Sequence, residues 1–251
     1  MPYLGYLLAQ AVKAGQTVAS AITSASSYAV SVGTSVMSLK PSQTDFKGLG
    51  VASPFINDGL DTTIPAINGS DMTISCWVYL GGGGSNTRAV WASQEGIGYG
   101  YQFLYVIANA PQFLSMWGTG GTAGSYVYAG TNTAIDNKWI HVTCVHTTAT
   151  NYVYIDGELN ASNTGGTTTG ATSTYKIGAY GSITTYPLNG NVSNWAMWRR
   201  ALSAEEIKNI MFKSYEDLTT SETSGLVSYY KLDDLAGGTF ADSHGGNNGT
   251  Y

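Results

Sequence analysis

Charge is what this sequence has least of. Its 251 residues hold 11 Lys and Arg against 16 Asp and Glu, so only 11% are charged, well below the usual quarter. The net charge of -5 sets the chain against nucleic acid and anionic lipid, because both are polyanions that repel it at long range. The basic residues do not cluster either; Arg199 and Arg200 are the one adjacent pair. Long apolar runs are missing too, and no stretch has the length and density of a membrane span. Neither nucleic acid nor membrane is expected as a partner.

Cysteine is almost as scarce. Cys76 and Cys144 are too few and too far apart for a disulfide scaffold or a zinc site. Each sits among apolar residues at strand spacing and reads as a buried thiol. A bond between them would need strands that face each other across a sandwich, with Cα atoms about 4.4–6.8 Å apart. The three histidines make a poor triad or metal site: His141 and His146 are an odd number of residues apart, so within one strand they point to opposite faces.

What is present is apolar, aromatic and turn-forming. With 43% hydrophobic residues, 12% aromatic, 32 Gly and 18 Tyr, the composition excludes a disordered chain and describes strands joined by tight turns. Residues 1–40 differ from the rest, carrying only Lys13 and Lys40 as charges. Tyr3 to Ala14 reads as a short helix, and from Val18 the apolar residues fall on even positions, the period of an extended chain. No basic residue precedes the apolar run Leu4–Val12, so it is read as retained and not as a signal peptide. We expect residues 1–40 to form an arm, with Tyr3, Leu4, Tyr6, Leu7 and Val12 binding a partner protein, and residues 41–251 to form one domain.

Within that domain, Met72–Leu80 alternates cleanly and puts Met72, Ile74, Cys76, Val78 and Leu80 on one face. Ile97, Tyr99, Tyr101, Phe103, Tyr105 and Ile107 form a second alternating set. Strands are expected over 113–117, 139–145, 152–155, 175–179 and 190–198, with Asp156-Gly157 as a hairpin turn. One helix is predicted over 203–213: Ser203 and Glu206 fit a capping box, and Leu202 and Ile207 a hydrophobic staple. An all-β fold follows, a sandwich or jelly roll of two antiparallel sheets with one short helix and an N-terminal arm.

Several segments in order resemble laminin-G-like, concanavalin A-like jelly rolls. Met72-Thr-Ile-Ser-Cys-Trp-Val78 resembles that family's "F-T-I-S-x-W-V" strand, Trp139-Ile-His-Val142 its "W-x-H-V" strand, and Tyr152–Gly157 its "L-Y-V-D-G" hairpin. Tyr175–Gly178, Leu188–Trp195 and Arg200–Ile207 resemble its "L-x-I-G", "F-x-G-x-I-D-E-V" and "R-A-L-S-x-E-E-I" segments. Ser193 and Asn194 depart from the acidic residues that the family often carries there. Gly225–Asp234 and Asp242–Thr250 resemble segments more familiar at the domain's start. That order is similar to jelly rolls of bacteriophage particle proteins.

The resemblance implies a lectin-like domain, and with the arm it implies a bacteriophage virion surface protein, for capsid decoration or as a tail appendage, present as a homo-oligomer or in many copies and touching other virion proteins through the arm. The alternative is a carbohydrate-binding adhesin that recognises cell-surface glycan. Related folds include glycoside hydrolases, whose two carboxylates sit about 5–5.5 Å or 6.5–9.5 Å apart. This chain has no Glu-x-Asp-x-x-Glu pattern, and Glu95 lacks an obvious acidic partner, so no catalytic residue is expected and the protein is read as a non-enzyme. Tyr126, Tyr128, Tyr180 and Tyr186 lie in or beside turn-rich segments and are the glycan-stacking candidates, although Tyr also packs cross-strand. Calcium is the one cofactor the resemblance raises. Asp242 and Asn247, with Asn248, Asp58 and Asp61, are oxygen donors for it, and equally the residues that tight turns require.

Overall fold

The structure, a computed structural model, describes residues 59–65, 71–80, 87–93, 101–106, 113–118, 125–129, 139–164, 174–180, 186–188, 190–232 and 239–250. The expected arm, and the boundary at residue 40, lie outside the described residues. In chain order the strands are β1 (Leu60–Asp61), β2 (Met72–Leu80), β3 (Arg88–Ser93), β4 (Tyr101–Val106), β5 (Phe113–Gly118), β6 (Ser125–Ala129) and β7 (Trp139–His146). They continue as β8 (Thr150–Ile155), β9 (Glu158–Thr164), β10 (Lys176–Ile177), β11 (Gly190–Trp198), β12 (Leu226–Tyr230), β13 (Thr239–Phe240) and β14 (Gly249–Thr250). Among the described residues one α-helix, α1 (Ala204–Ile210), falls between β11 and β12, followed by a 3-10 turn at Tyr215–Asp217.

These strands form two antiparallel sheets, as the alternation predicts. One has six strands in the order β12-β11-β2-β7-β8-β9, and the other eight in the order β13-β14-β1-β10-β3-β4-β5-β6. The predicted inward row of β2, Met72, Ile74, Cys76, Val78 and Leu80, is buried in the core with Ile140, Val142 and Cys144 of β7 and with Leu104, Val106 and Phe113 of the opposite sheet. Trp195 is fully buried there, its ring centroid 6.3 Å from Tyr175 and 5.9 Å from Tyr230. Asp156 and Gly157 both take positive φ, 51° and 80°, which gives the two-residue hairpin a backbone twist that suits the flanking strands.

Helix α1 starts as the sequence requires and ends earlier than expected. Ser203 Oγ accepts from the Glu206 amide, and the Glu206 carboxylate accepts from the Ser203 amide at 2.8 Å. Leu202, Ile207 and Ile210 then pack with Val145, Ala196, Trp198 and Tyr229 on the outer face of the six-stranded sheet. The helix stops at Ile210 because the next turn is held from outside: Trp77 Nε1 donates to the Met211 carbonyl at 2.7 Å, and Phe212 packs on the Trp77 ring. Lys213 lies beyond the helix and pairs with Glu222, instead of facing the helix C-terminus.

The cysteines do not face each other across the sandwich. They occupy adjacent strands of one sheet, where Cys76 is opposite Val142 and Cys144 opposite Ile74. Both are free and buried. Burial raises both thiols, Cys144 to about 12, so neither is a reactive thiolate at neutral pH.

Candidate functional site

Two of the described aromatic pairs, Tyr79–Trp139 and Tyr180–Tyr186, lie toward one pole of the sandwich, where β2 ends and β7 and β11 begin. Leu80 is opposite Gly190, and Tyr79 is opposite both Asn191 and Trp139. The approach at Gly190 is so close that a Cβ there would stand 1.9 Å from the Tyr79 carbonyl oxygen. Only glycine lets β11 enter the sheet at this point.

On the eight-stranded side of that pole, the chain leaves β10 through Gly178, whose amide donates to the Val90 carbonyl at 2.8 Å. The Leu188 amide returns to the Gly178 carbonyl, and the Ala89 amide donates to the Tyr186 carbonyl at 2.8 Å. These bonds pin both ends of the 178–188 connection and bring Tyr180 and Tyr186 together, ring centroids 5.9 Å apart and tilted by 46°. Tyr186 is 39% exposed and is held at φ 64°, a region that bulky residues rarely adopt. Two of the four predicted tyrosines therefore share one surface. Tyr126 and Tyr128 sit within β6, opposite Met116 and Leu114 of β5. The arm residues Tyr3, Leu4, Tyr6, Leu7 and Val12 lie outside the described residues.

A second aromatic pair at this pole escaped the sequence reading. Tyr79 and Trp139 are cross-strand neighbours on the outer face of the six-stranded sheet, with centroids 5.6 Å apart, and both are half-buried. The signal was the odd-numbered row of β2, Trp77 and Tyr79. Sequence alone gives no hint of which of its members the helix covers.

The covered end of that row is a different environment. His141 is 2% exposed; its Nε2 meets Ser75 Oγ at 2.8 Å, and Thr143 Oγ1 donates to the same oxygen at 3.1 Å. The ring lies 5.2 Å from Trp77, and Nδ1 has no hydrogen-bond partner. Burial pushes its pKa down to about 3, so the imidazole is neutral at physiological pH. The cavity beside it, lined by Ser75, Trp77, His141, Asn194, Lys213 and Tyr229 among others, holds about 10 Å³, room for no more than a water. His146 is also buried, and its Nδ1 meets Asn151 Oδ1.

Asp242 and Asn247 meet at the loop between β13 and β14. Asp242 Oδ1 accepts from the amides of Tyr229 at 2.8 Å and His244 at 3.0 Å, and Oδ2 accepts from the Asn247 amide and side chain at 3.0 and 3.2 Å. Burial alone would raise this carboxyl, but the backbone amides outweigh it and hold it below the usual range. Both oxygens thus face N–H donors, the arrangement of a turn anchor. Asn248 Oδ1 accepts from the Asp242 amide, and Asp61 pairs with Lys176; Asp58 lies outside the described residues. Among the described residues there is no group of three or more His, Cys, Asp or Glu side chains placed to hold a metal. Ser193, where the family resemblance suggests an acid, donates its hydroxyl to the Lys231 carbonyl at 3.2 Å. Asn194 takes φ 48° at the irregularity where the β2–β11 register shifts.

Four of the described glutamates are tied up in ion pairs. Glu158 pairs with Lys208, Glu206 with Arg200, Glu216 with Lys231 and Glu222 with Lys213. Glu95 lies outside the described residues.

Comparison with known proteins agrees with this architecture. The family model of the concanavalin A-like lectin/glucanases superfamily matches residues 56–208. A solved structure from Bacteroides ovatus ATCC 8483, provisionally described as a carbohydrate binding protein, is 19% identical with a TM-score of 0.59. The match covers 78% of this chain and 56% of that one. The heptameric SAP-like pentraxin of Limulus polyphemus is 16% identical over 64% of this chain and 78% of its own, with a TM-score of 0.48. The receptor binding domain of botulinum neurotoxin D is 15% identical over 58% of this chain and 38% of its own, at 0.45. At 19% identity the likeness to the Bacteroides structure is one of fold. No curated protein matches the chain.

Proposed function

The chain belongs to the concanavalin A-like lectin/glucanase superfamily, and from that premise we propose that it is a carbohydrate-binding module whose contact surface is the pole carrying Tyr180 and Tyr186. The observation that supports this reading is the aromatic pair itself. A tyrosine ring offers an apolar face to the C–H face of a sugar and a hydroxyl to its edge. Here two such rings are packed together on a connection pinned at both ends, so little side-chain freedom is lost on binding. Tyr186 is one of the large exposed apolar side chains among the described residues, and its backbone takes a φ that bulky residues rarely adopt. The provisional carbohydrate-binding description of the Bacteroides protein, whose length this chain spans to 56%, points the same way.

The reading is of a binder and not a catalyst. Hydrolysis of a glycosidic bond uses two carboxylates, one as general acid and the other as base or nucleophile. Four glutamates of the described residues are instead engaged by Lys or Arg.

The test is a glycan array probed with the full chain, with and without a chelator, followed by affinity measurements on Tyr180→Ala and Tyr186→Ala. Each variant should bind the array hits at least tenfold more weakly, a loss of about 1.4 kcal/mol, with little change in Tm. A blank array for the wild-type chain would sink the proposal, as would unchanged affinity in both variants. Chelator sensitivity would revive a calcium site.

A further inference from the structure

The two aromatic pairs at the pole are joined by a short piece of chain. Tyr186 lies beside the start of β3 through its bond from the Ala89 amide, while Asn191 lies opposite Tyr79 in the other sheet. The segment from Tyr186 to Asn191 therefore crosses between the sheets, and five residues span at most about 18 Å. Tyr79 and Trp139 continue the row of Trp77 and His141, but they do so beyond the cover of Met211 and Phe212, which close over Trp77. The row, fully buried at Thr73, Ser75 and His141, is thus half-buried at the end of the sheet nearest Tyr186. Asn191, half-buried on the same face, supplies an amide opposite Tyr79, with Trp139 on that ring's other side.

The surroundings are short of charge. From residue 161 to 198 the sequence has one charged residue, Lys176, which pairs with Asp61, and the β2–β3 connection 81–87 has none; Arg88, which follows it beside Ala89, is a single buried cation, 5% exposed. Asp136 and Lys138, ahead of Trp139, have opposite signs. An acidic ligand would find no cationic cluster here and would meet a net charge of -5.

We infer that Tyr79, Trp139 and Asn191 form a second sugar subsite, so that this pole takes an uncharged oligosaccharide chain running from Tyr186 to Trp139 and not a single terminal sugar. The inference rests on the carbohydrate-binding reading above. The rings of Tyr79 and Trp139 stack on pyranose faces while the Asn191 amide donates to, and its oxygen accepts from, sugar hydroxyls.

The experiment titrates the full chain with cellohexaose, laminarihexaose and mannohexaose, with glucose and mannose, and with hexagalacturonate as the acidic probe. Binding is read by tryptophan fluorescence and calorimetry, and the mass of the free protein by light scattering. A neutral hexaose should bind at least tenfold more tightly than its monosaccharide. Trp139→Ala should abolish that advantage, weakening the hexaose far more than the monosaccharide, and Trp139→Phe, which keeps a ring, should restore most of it even where the alanine variant folds poorly. Tyr186→Ala should weaken both ligands. Equal affinity for hexaose and monosaccharide, an unchanged hexaose affinity in Trp139→Ala, or a preference for hexagalacturonate would overturn the subsite and leave the carbohydrate-binding reading standing. So would a loss of self-association in Trp139→Ala without an effect on sugar, which would assign the patch to a second copy of the chain. No binding of any of these probes, together with a blank array, would remove both.

Discussion

Acidifying this protein from pH 7 to pH 5 should weaken its fold through His141, before its carboxylates begin to matter. The imidazole is 2% exposed between the six-stranded sheet and the segment that follows α1, with Ser75, Trp77, Asn194, Lys213 and Tyr229 around the adjoining cavity. No carboxylate lines that cavity to pair with an imidazolium, and burial holds the folded pKa down to about 3. In the unfolded chain the ordinary value is about 6.5. Because the folded pKa is the lower one, the unfolded state binds the proton first, and stability falls as pH drops through 6.5 and goes on falling toward 3.

At about 1.36 kcal/mol per pH unit the loss between pH 7 and pH 5 is about 2 kcal/mol, a large share of a typical folding free energy. His146, lowered by burial despite its bond to Asn151, adds a loss of the same sign. The measurement is urea unfolding at several values between pH 7 and pH 5, on wild type and on His141→Gln. The variant shifts the whole curve, but its pH slope should be shallower by close to one proton, and His146 keeps the remainder. An equal slope in both proteins would refute the reasoning, as would NMR titration of the His141 ring near 6.5 in the folded chain.

Two further substitutions probe the frame around the site. Gly190→Ala drives a Cβ against the Tyr79 carbonyl and should cost about 1–3 kcal/mol by overpacking, loosening the β2–β11 junction and the neighbouring Tyr79–Trp139 pair together. Normal Tm and normal glycan affinity in that variant would show that the backbones are not so close. Asp242→Asn replaces a carboxylate that accepts four N–H bonds with a group that must turn one NH₂ toward a donor, and should cost about 1.5–3 kcal/mol. Its folded pKa is depressed, so the wild-type contribution is present above the ordinary carboxylate range and is lost as pH falls through the folded value; the variant should lack that step. A chelator should leave wild-type Tm unchanged, since the oxygens already face amides. A chelator-dependent fall in Tm would show that a cation holds this loop.

Periodicity and turn chemistry act over a few residues, so what depends on them was legible in the chain. The alternation of Met72–Leu80 and the run Gly190–Trp198 became strands with the expected boundaries. The Ser203–Glu206 box opened the helix, and Asp156-Gly157 made its hairpin. Tyr180 and Tyr186 could be suspected from their turn-rich neighbourhood. Their pairing could not, because it depends on hydrogen bonds from Gly178, Ala89 and Leu188 that tie the connection to a distant strand. Cross-strand register alone put Trp139 beside Tyr79, 60 positions away, and Cys144 in the sheet of Cys76. The polar row Thr73, Ser75 and His141 reads as a solvent face, yet it is buried because α1 and the segment after it lie over the sheet. Local sequence determined which residues are strand, turn and cap; tertiary packing decided which second face is covered and which aromatic rings are left in water, since that choice is made by elements far away along the chain.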